Sequence, residues 1–168
     1  LIRYQERVKP SRLQLGQWYR KLGDAYLGLG QLDDAKKYFL LSMNTLGLPL
    51  SKSEAGMIGM LLRHVVRQTS HRVWPQRFRN KPLNEEEESI RHELVTLCQQ
   101  LSVVQFLNGD PNPLPMMIAV TAGVNIAETM HDSAELGNMY AQLAAVSGFI
   151  PLRSEVTHYK KAWRALAD

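Results

Sequence analysis

Apolar side chains recur along this chain at steps of three and four, the period of a helix that buries one stripe. From Ser11, the series Leu15, Trp18, Tyr19, Leu22, Tyr26 and Leu29 predicts a first helix, with Gly28 and Gly30 at its end. Leu32, Ala35, Tyr38, Phe39 and Met43 predict a second. It closes at Gly47-Leu48-Pro49, a glycine that can turn left-handed and then a residue that cannot extend a helix. A third is predicted from about Ser53 to Val73, because Pro75 disfavours helical geometry at Trp74. Its buried stripe is read as Leu62, Val65, Val66, Thr69 and Val73, with Arg63, Arg67 and His71 in water. Trp74 and Phe78 are expected to plug a helix junction.

Residues 75–83 carry Pro75 and Pro82 and read as a linker or ordered loop. Asn84 before Glu85-Glu86-Glu87-Glu88 is a strong helix start: Asn84 can cap, and carboxylates suit the positive helix end. The pattern continues through Ile90, Leu94, Leu97, Leu101 and Val104 to the turn Asn108-Gly109-Asp110-Pro111. Pro115 leads into a helix over Met116–Met130, Asp132 starts another that ends near Gly148, and a last one is expected over about Arg153–Leu166. No alternating strand pattern appears. The expected fold is all-α, an α-solenoid of about seven helices in antiparallel hairpins. Residues 1–168 form one helical-repeat unit: 11–49 is the clearest repeat, 51–74 an extra helix, 84–130 a degenerate hairpin and 132–167 a second recognisable hairpin.

Composition narrows the class. Hydrophobic residues make up 45% of 168 positions and the formal net charge is +4, which excludes a disordered chain. Cys98 stands alone, so no internal disulfide can form, and a reducing, cytoplasmic setting is expected. The uncharged stretches Pro111–Ala127 and Leu136–Leu152 are broken by Pro, Asn, Gln or Gly, so no membrane span is expected. A chain opening on Leu1 reads as part of a longer polypeptide. Charge is divided unevenly, +10 over residues 1–82 and −6 over 83–168. Basic density peaks between residues 63 and 81, where Arg63, Arg67, Arg72, Arg77 and Arg79 lie near Trp74 and Phe78. Cations with aromatic faces are the ingredients of a nucleic-acid surface, but no nucleic-acid motif accompanies them.

Within the first hairpin, Leu22-Gly23-Asp24-Ala25-Tyr26 is followed by Gly30, Ala35 and Phe39. Gly23 lets two helices approach, Tyr26 fills the space beside it, Ala35 faces inward and Phe39 closes the wedge. This spacing across Gly16–Pro49 resembles the tetratricopeptide repeat, a helix–turn–helix unit of about 34 residues. Tyr19 stands where that repeat has Trp, and Ser42 where it has Ala. Leu136-Gly137-Asn138-Met139-Tyr140, with Tyr159 and Ala162, is a weaker echo. The order Leu22-Gly23-x-x-Tyr26, then His71-Arg72-Val73-Trp74-Pro75-Gln76-Arg77-Phe78, then Asp132-Ser133-Ala134-Glu135-Leu136, resembles the helical-repeat region of large AAA-type signalling ATPases. Many members of that family also carry class III adenylate or guanylate cyclase domains. The resemblance implies a regulatory, non-catalytic module that contacts a protein or peptide, or other domains of its own polypeptide. It also implies that the first helix of each hairpin lines a concave groove. Gln17, Arg20, Asp24 and Leu27 are then the groove residues of the first hairpin, and His131, Ala134, Asn138 and Ala141 those of the second. Asp24 stands where a carboxylate clamp wants Asn, and Ala134 lacks the cation, so such a clamp is disfavoured.

No catalytic, metal or cofactor constellation is read. There is no phosphate loop and no His-Glu-x-x-His, and His92-Glu93 is expected at a helix surface. Cys98 beside Leu94, Leu97 and Leu101 is expected to be a core thiol, and the methionines to fill the core. Gly56 and Gly59 cost a helix roughly 1 kcal/mol each, so close helix contact is expected there.

Overall fold

The computed structural model describes residues 9–74, 84–130, 133–147 and 164. Among them lie six helices and no strand: α1 Arg12–Gly28, α2 Leu32–Leu46, α3 Glu54–Val73, α4 Glu85–Leu107, α5 Leu114–Ala127 and α6 Ser133–Ser147. The all-helical expectation holds. The loop over 75–83 and the seventh helix over 153–166 fall outside the described residues.

Local chemistry explains the ends. Ser11 and Gln14 form a reciprocal capping box at the start of α1. Ser53 accepts the Gly56 amide at 3.2 Å, and Asn84 accepts the Glu87 amide at 2.8 Å. At the α1–α2 reversal Gly30 takes φ +73°, and the Gln31 amide reaches back to the Tyr26 carbonyl at 2.9 Å. This is the left-handed helix stop that a glycine permits without a Cβ penalty.

α1 lies on α2 through its two buried residues, Gly16 and Gly23. Ser42 is fully buried and donates to the Gly16 carbonyl at 2.7 Å, so the hydroxyl at this position staples the two helices. The space beside Gly23 is filled by the ring of Phe39; a Cβ on Gly23 would lie 2.5 Å from Cδ1 and Cε1 of that ring. Tyr26 is half-buried and stacks on Tyr38, with ring centroids 5.2 Å apart. Trp18, Leu22 and Leu29 face solvent.

Beyond this hairpin, α2 packs on α4, α4 on α5, and α5 on α6, while α1 also touches α4. The core has two parts. Phe39, Met43, Leu97, Leu101 and Val104 anchor the first, between α2, α4 and α5. Val95, Val120, Val124, Met139 and Leu143 anchor the second, between α4, α5 and α6. Gly123 joins them, because a Cβ there would collide with Met139 Cε and lie 2.9 Å from Cys98 Cβ.

α3 departs from this order. It packs on α5 and makes no helix contact with α2 or α4, its neighbours in sequence. No α3 residue belongs to either core cluster. Its predicted stripe is inverted: Leu62, Val65, Val66 and Val73 face solvent, with Leu62 60% and Val66 65% exposed. His71, expected in water, is buried with Met57, His64 and Gln68. Trp74, expected at a junction, is 61% exposed, and Phe78 lies outside the described residues. The physical reason is the partner. The side of α5 toward α3 offers Asn125, with Glu128 just past the helix end, and polar groups out of water require polar partners. Gly59 is exposed, and a Cβ there would find no atom within 4 Å, while Gly56 closes on Ser51 and Ser53 of its own cap; neither mediates helix contact.

Candidate functional site

The inner face of α3 sits on a polar seat centred on Glu128. Oε1 of Glu128 accepts from Gln68 Nε2 at 2.8 Å and from the Tyr140 hydroxyl at 2.7 Å. Its Oε2 lies 2.6 Å from His71 Nδ1, which donates because an ionised carboxylate only accepts. The other ring nitrogen, Nε2, lies 3.4 Å from Arg67 Nε. One turn nearer the helix start, Asn125 Nδ2 donates to the His64 carbonyl at 2.9 Å. Burial, then the charges of Arg63 and Arg67, push the His64 imidazole down to about 4, so it stays neutral near pH 7. Alongside, Arg91 donates to Thr129.

Chemically, this seat is a clamp. A histidine oriented by a carboxylate can serve as a base, but here both ring nitrogens of His71 already face protein groups and the side chain is buried. Among the described residues no group of three or more His, Cys, Asp or Glu side chains is placed to hold a metal ion. Burial pushes the fully buried Cys98 thiol up to about 12, so the core-thiol expectation holds and no thiolate forms at neutral pH.

The outer face presents Ile58, Leu62, Val65, Val66, Thr69 and Val73 within an arc of about 100°. Arg63 lies beyond the Val66 edge of that stripe and Arg67 further round, turned toward the buried face with Nε 3.4 Å from His71 Nε2, while Arg72 and Glu54 stand at the other edge. All three arginines are exposed. Arg63 has no ion pair among the described residues. Burial first, then Arg91 and Arg63, hold the Arg67 guanidinium below its ordinary value against the opposing pull of Glu128. Arg77 and Arg79, the rest of the predicted basic patch, fall outside the described residues.

The predicted groove residues do not share one open surface. Arg20 donates to Asp24 at 2.6 Å and to Glu93 of α4, so its charge is already matched. Glu93, expected at a surface, is buried in that pair, whereas the neighbouring His92 is half-buried with Nδ1 3.0 Å from Glu135 Oε1. Leu27 packs against the first core cluster and Gln17 is half-buried. Ala134, Asn138 and Ala141 are exposed on α6, and His131 lies outside the described residues. A separate cleft of about 430 Å³ opens between the end of α4 and the start of α5, lined by Phe106, Pro111, Pro113, Met116, Met117 and Val146. Its lining is mostly apolar and brings no charged cluster together. Sequence patterns alone do not single out Glu128, Gln68 or Asn125. The one signal for Glu128 is its position as the first charge after the uncharged stretch Pro111–Ala127.

No helix among the described residues is long and apolar enough to cross a membrane. Comparisons with protein-family models, curated proteins and solved structures find no match.

Proposed function

We propose that this chain is a non-catalytic helical-hairpin module that recognises another protein surface. One observation carries the reading: α3 turns its large aliphatic side chains to water while burying two histidines and a glutamine. A row of aliphatic residues left in solvent is costly unless something covers it, and contiguous apolar patches on folded domains mark interaction sites. The packing order supports a repeat-like stack: α1 with α2, α2 with α4, α4 with α5, and α5 with α6 is the sequence of contacts expected of stacked hairpins, while α3, which follows α2 in sequence, packs on α5. The resemblance to signalling ATPases adds a context, in which binding at this surface would govern a catalytic domain on the same polypeptide. Chemistry at Cys98 is opposed by its burial and raised pKa.

Photo-crosslinking in the cells that make the protein tests the reading. A photoreactive residue is placed at position 62 on α3 or at position 138 on α6. A discrete protein adduct from either position is expected, and adducts from neither would refute it. ATP or GTP turnover by the purified chain would also refute it. Nucleic-acid binding through Arg63, Arg67 and Arg72 is the second reading. It predicts retention on DNA or RNA that falls steeply with salt.

A further inference from the structure

We propose that the cleft at the end of α4 binds a small neutral ligand, a flat apolar molecule with a lactam or primary-amide edge, held by the carboxamide of Gln105. The inference goes beyond the recognition surface proposed for α3 and does not depend on it.

The carboxamide comes first. Gln105 lies in the last turn of α4 and lines the cleft of about 430 Å³, yet only 4% of it is exposed. Among the described residues it is the one buried side chain whose amide nitrogen and amide oxygen both lack a hydrogen-bond partner. Nearly one turn earlier, Ser102 donates to Gln142 Oε1 at 3.0 Å, so the neighbouring polar contact between α4 and α6 is already complete. Polar groups out of water are ordinarily paired, and an unpaired amide is costly. The torsions of the Gln105 side chain let that amide turn to an occupant of the cleft it lines.

One wall of the cleft is fixed in advance. Asp110 Oδ1 accepts the Asn112 amide at 3.1 Å, and Asn112 Oδ1 accepts the Leu114 amide at 3.0 Å. Lys36 of α2 donates to Asp110 Oδ2 at 2.8 Å, which ties the turn to the first hairpin. Pro111 and Pro113 lock the backbone on either side of Asn112. Met116 and Met117 of α5 add pliant apolar surface, and Phe106, 66% exposed, offers the face of a ring.

Chemistry then selects the occupant. The volume falls within the roughly 300–1,000 Å³ of small-molecule sites. Asp110 is the single charged residue in the described lining and is matched by Lys36, so a charged ligand would find no counter-ion there. Gln105 offers a donor and an acceptor side by side. A lactam or primary amide has its N–H and C=O on one side and meets both at once. A trans peptide bond holds them on opposite sides and meets only one. An aromatic body behind that edge would pack against Phe106.

The test uses the full chain labelled at its methionine methyl groups and followed by NMR. It is titrated with 2-quinolinone, with N-methyl-2-quinolinone, and with a blocked apolar tripeptide whose amides are all trans. Saturable binding of 2-quinolinone is expected, with a dissociation constant below about 1 mM. It should shift the Met116 and Met117 signals, assigned through Met116→Leu and Met117→Leu. Methylation removes the donor and should weaken binding at least tenfold, because a site that pairs an N–H rejects the analogue lacking it. Gln105→Leu should bring the two quinolinones level, with circular dichroism as in the parent chain. Comparing the two ligands on the parent chain keeps the test independent of how that variant folds. No saturable binding, equal binding of the two quinolinones to the parent chain, a difference that survives Gln105→Leu, or shifts confined to other methionines would overturn the proposal. So would a tripeptide that binds at Met116 and Met117 as tightly as 2-quinolinone, or Phe106-dependent dimerisation in sedimentation, which would give the cleft to peptide backbone or to a second copy. Crosslinked adducts at positions 62 and 138 report on the recognition surface separately, so either reading can fall while the other stands.

Discussion

Adding one methyl group to either of two helical glycines should move stability in opposite directions. In the interior of a helix, Gly→Ala gains up to about 1 kcal/mol from backbone entropy. At Gly59 nothing lies within 4 Å of the new Cβ, so that gain should appear undiminished. At Gly23 the new Cβ would lie 2.5 Å from Cδ1 and Cε1 of Phe39 and 3.1 Å from Cζ. Carbon contacts prefer about 3.5–4.0 Å, so the overlap approaches an ångström against a ring that is itself fully buried. Overpacking of this kind costs about 1–3 kcal/mol, which cancels or exceeds the helix gain. The two alanine variants should therefore differ by about 1–3 kcal/mol in urea unfolding followed by circular dichroism. Phe39→Leu supplies the internal check. Alone it should cost about 1–2 kcal/mol, but combined with Gly23→Ala the pair should cost less than the sum by at least about 1 kcal/mol. If Gly23→Ala stabilises as much as Gly59→Ala, or the double variant is additive to within about 0.5 kcal/mol, the close approach of α1 and α2 is wrong.

Four further outcomes follow from the same structure. Leu62→Ala should change unfolding free energy by less than about 1 kcal/mol while Leu94→Ala, in the core, costs about 2–5; a loss above about 2 at Leu62 would restore the buried stripe. Glu128→Ala strands the Gln68, His71 and Tyr140 donors and should cost about 2–4 kcal/mol, and an unchanged denaturant midpoint would remove the polar seat. His64 has its folded pKa, about 4, below the unfolded value near 6.5, so the unfolded chain takes up the proton first as pH falls. Stability relative to a His64→Gln variant should therefore drop between about pH 6.5 and 4 and flatten on both sides, whereas parallel pH curves would contradict its burial. Cys98 should resist a thiol reagent at pH 8 in buffer and react at once in denaturant; fast labelling of the folded chain would show it is not enclosed.

The parts of the fold visible in the sequence are those fixed by short-range chemistry. Ser53, Asn84, Gly30 and Gly47 announce helix ends, because capping and left-handed turns depend on a few adjacent residues. Leu94, Leu97, Leu101 and Val104 announce an inward face, because α4 meets helices that are themselves apolar there. Periodicity misleads at α3 because it reports that a helix has two unlike faces but not which of them meets the rest of the chain. Asn125 and Glu128, some sixty residues away in sequence, make that choice. Arg20 escapes a local reading for a related reason: its partner Glu93 lies on α4, and no short-range pattern links the two. Phe39 shows a finer limit, since only the packing of α1 on α2 sets its ring, from the next helix, against Gly23.

Because neither oily cluster includes a residue of α3, lifting that helix from α5 would chiefly exchange internal hydrogen bonds for hydration, exposing Met57 but leaving both clusters closed. Such an excursion would leave the α1–α2 and α4–α5–α6 packing whole. Tension applied through the aliphatic side of α3 would therefore be transmitted to Glu128, the carboxylate that fastens Gln68 and His71 to the rest of the chain.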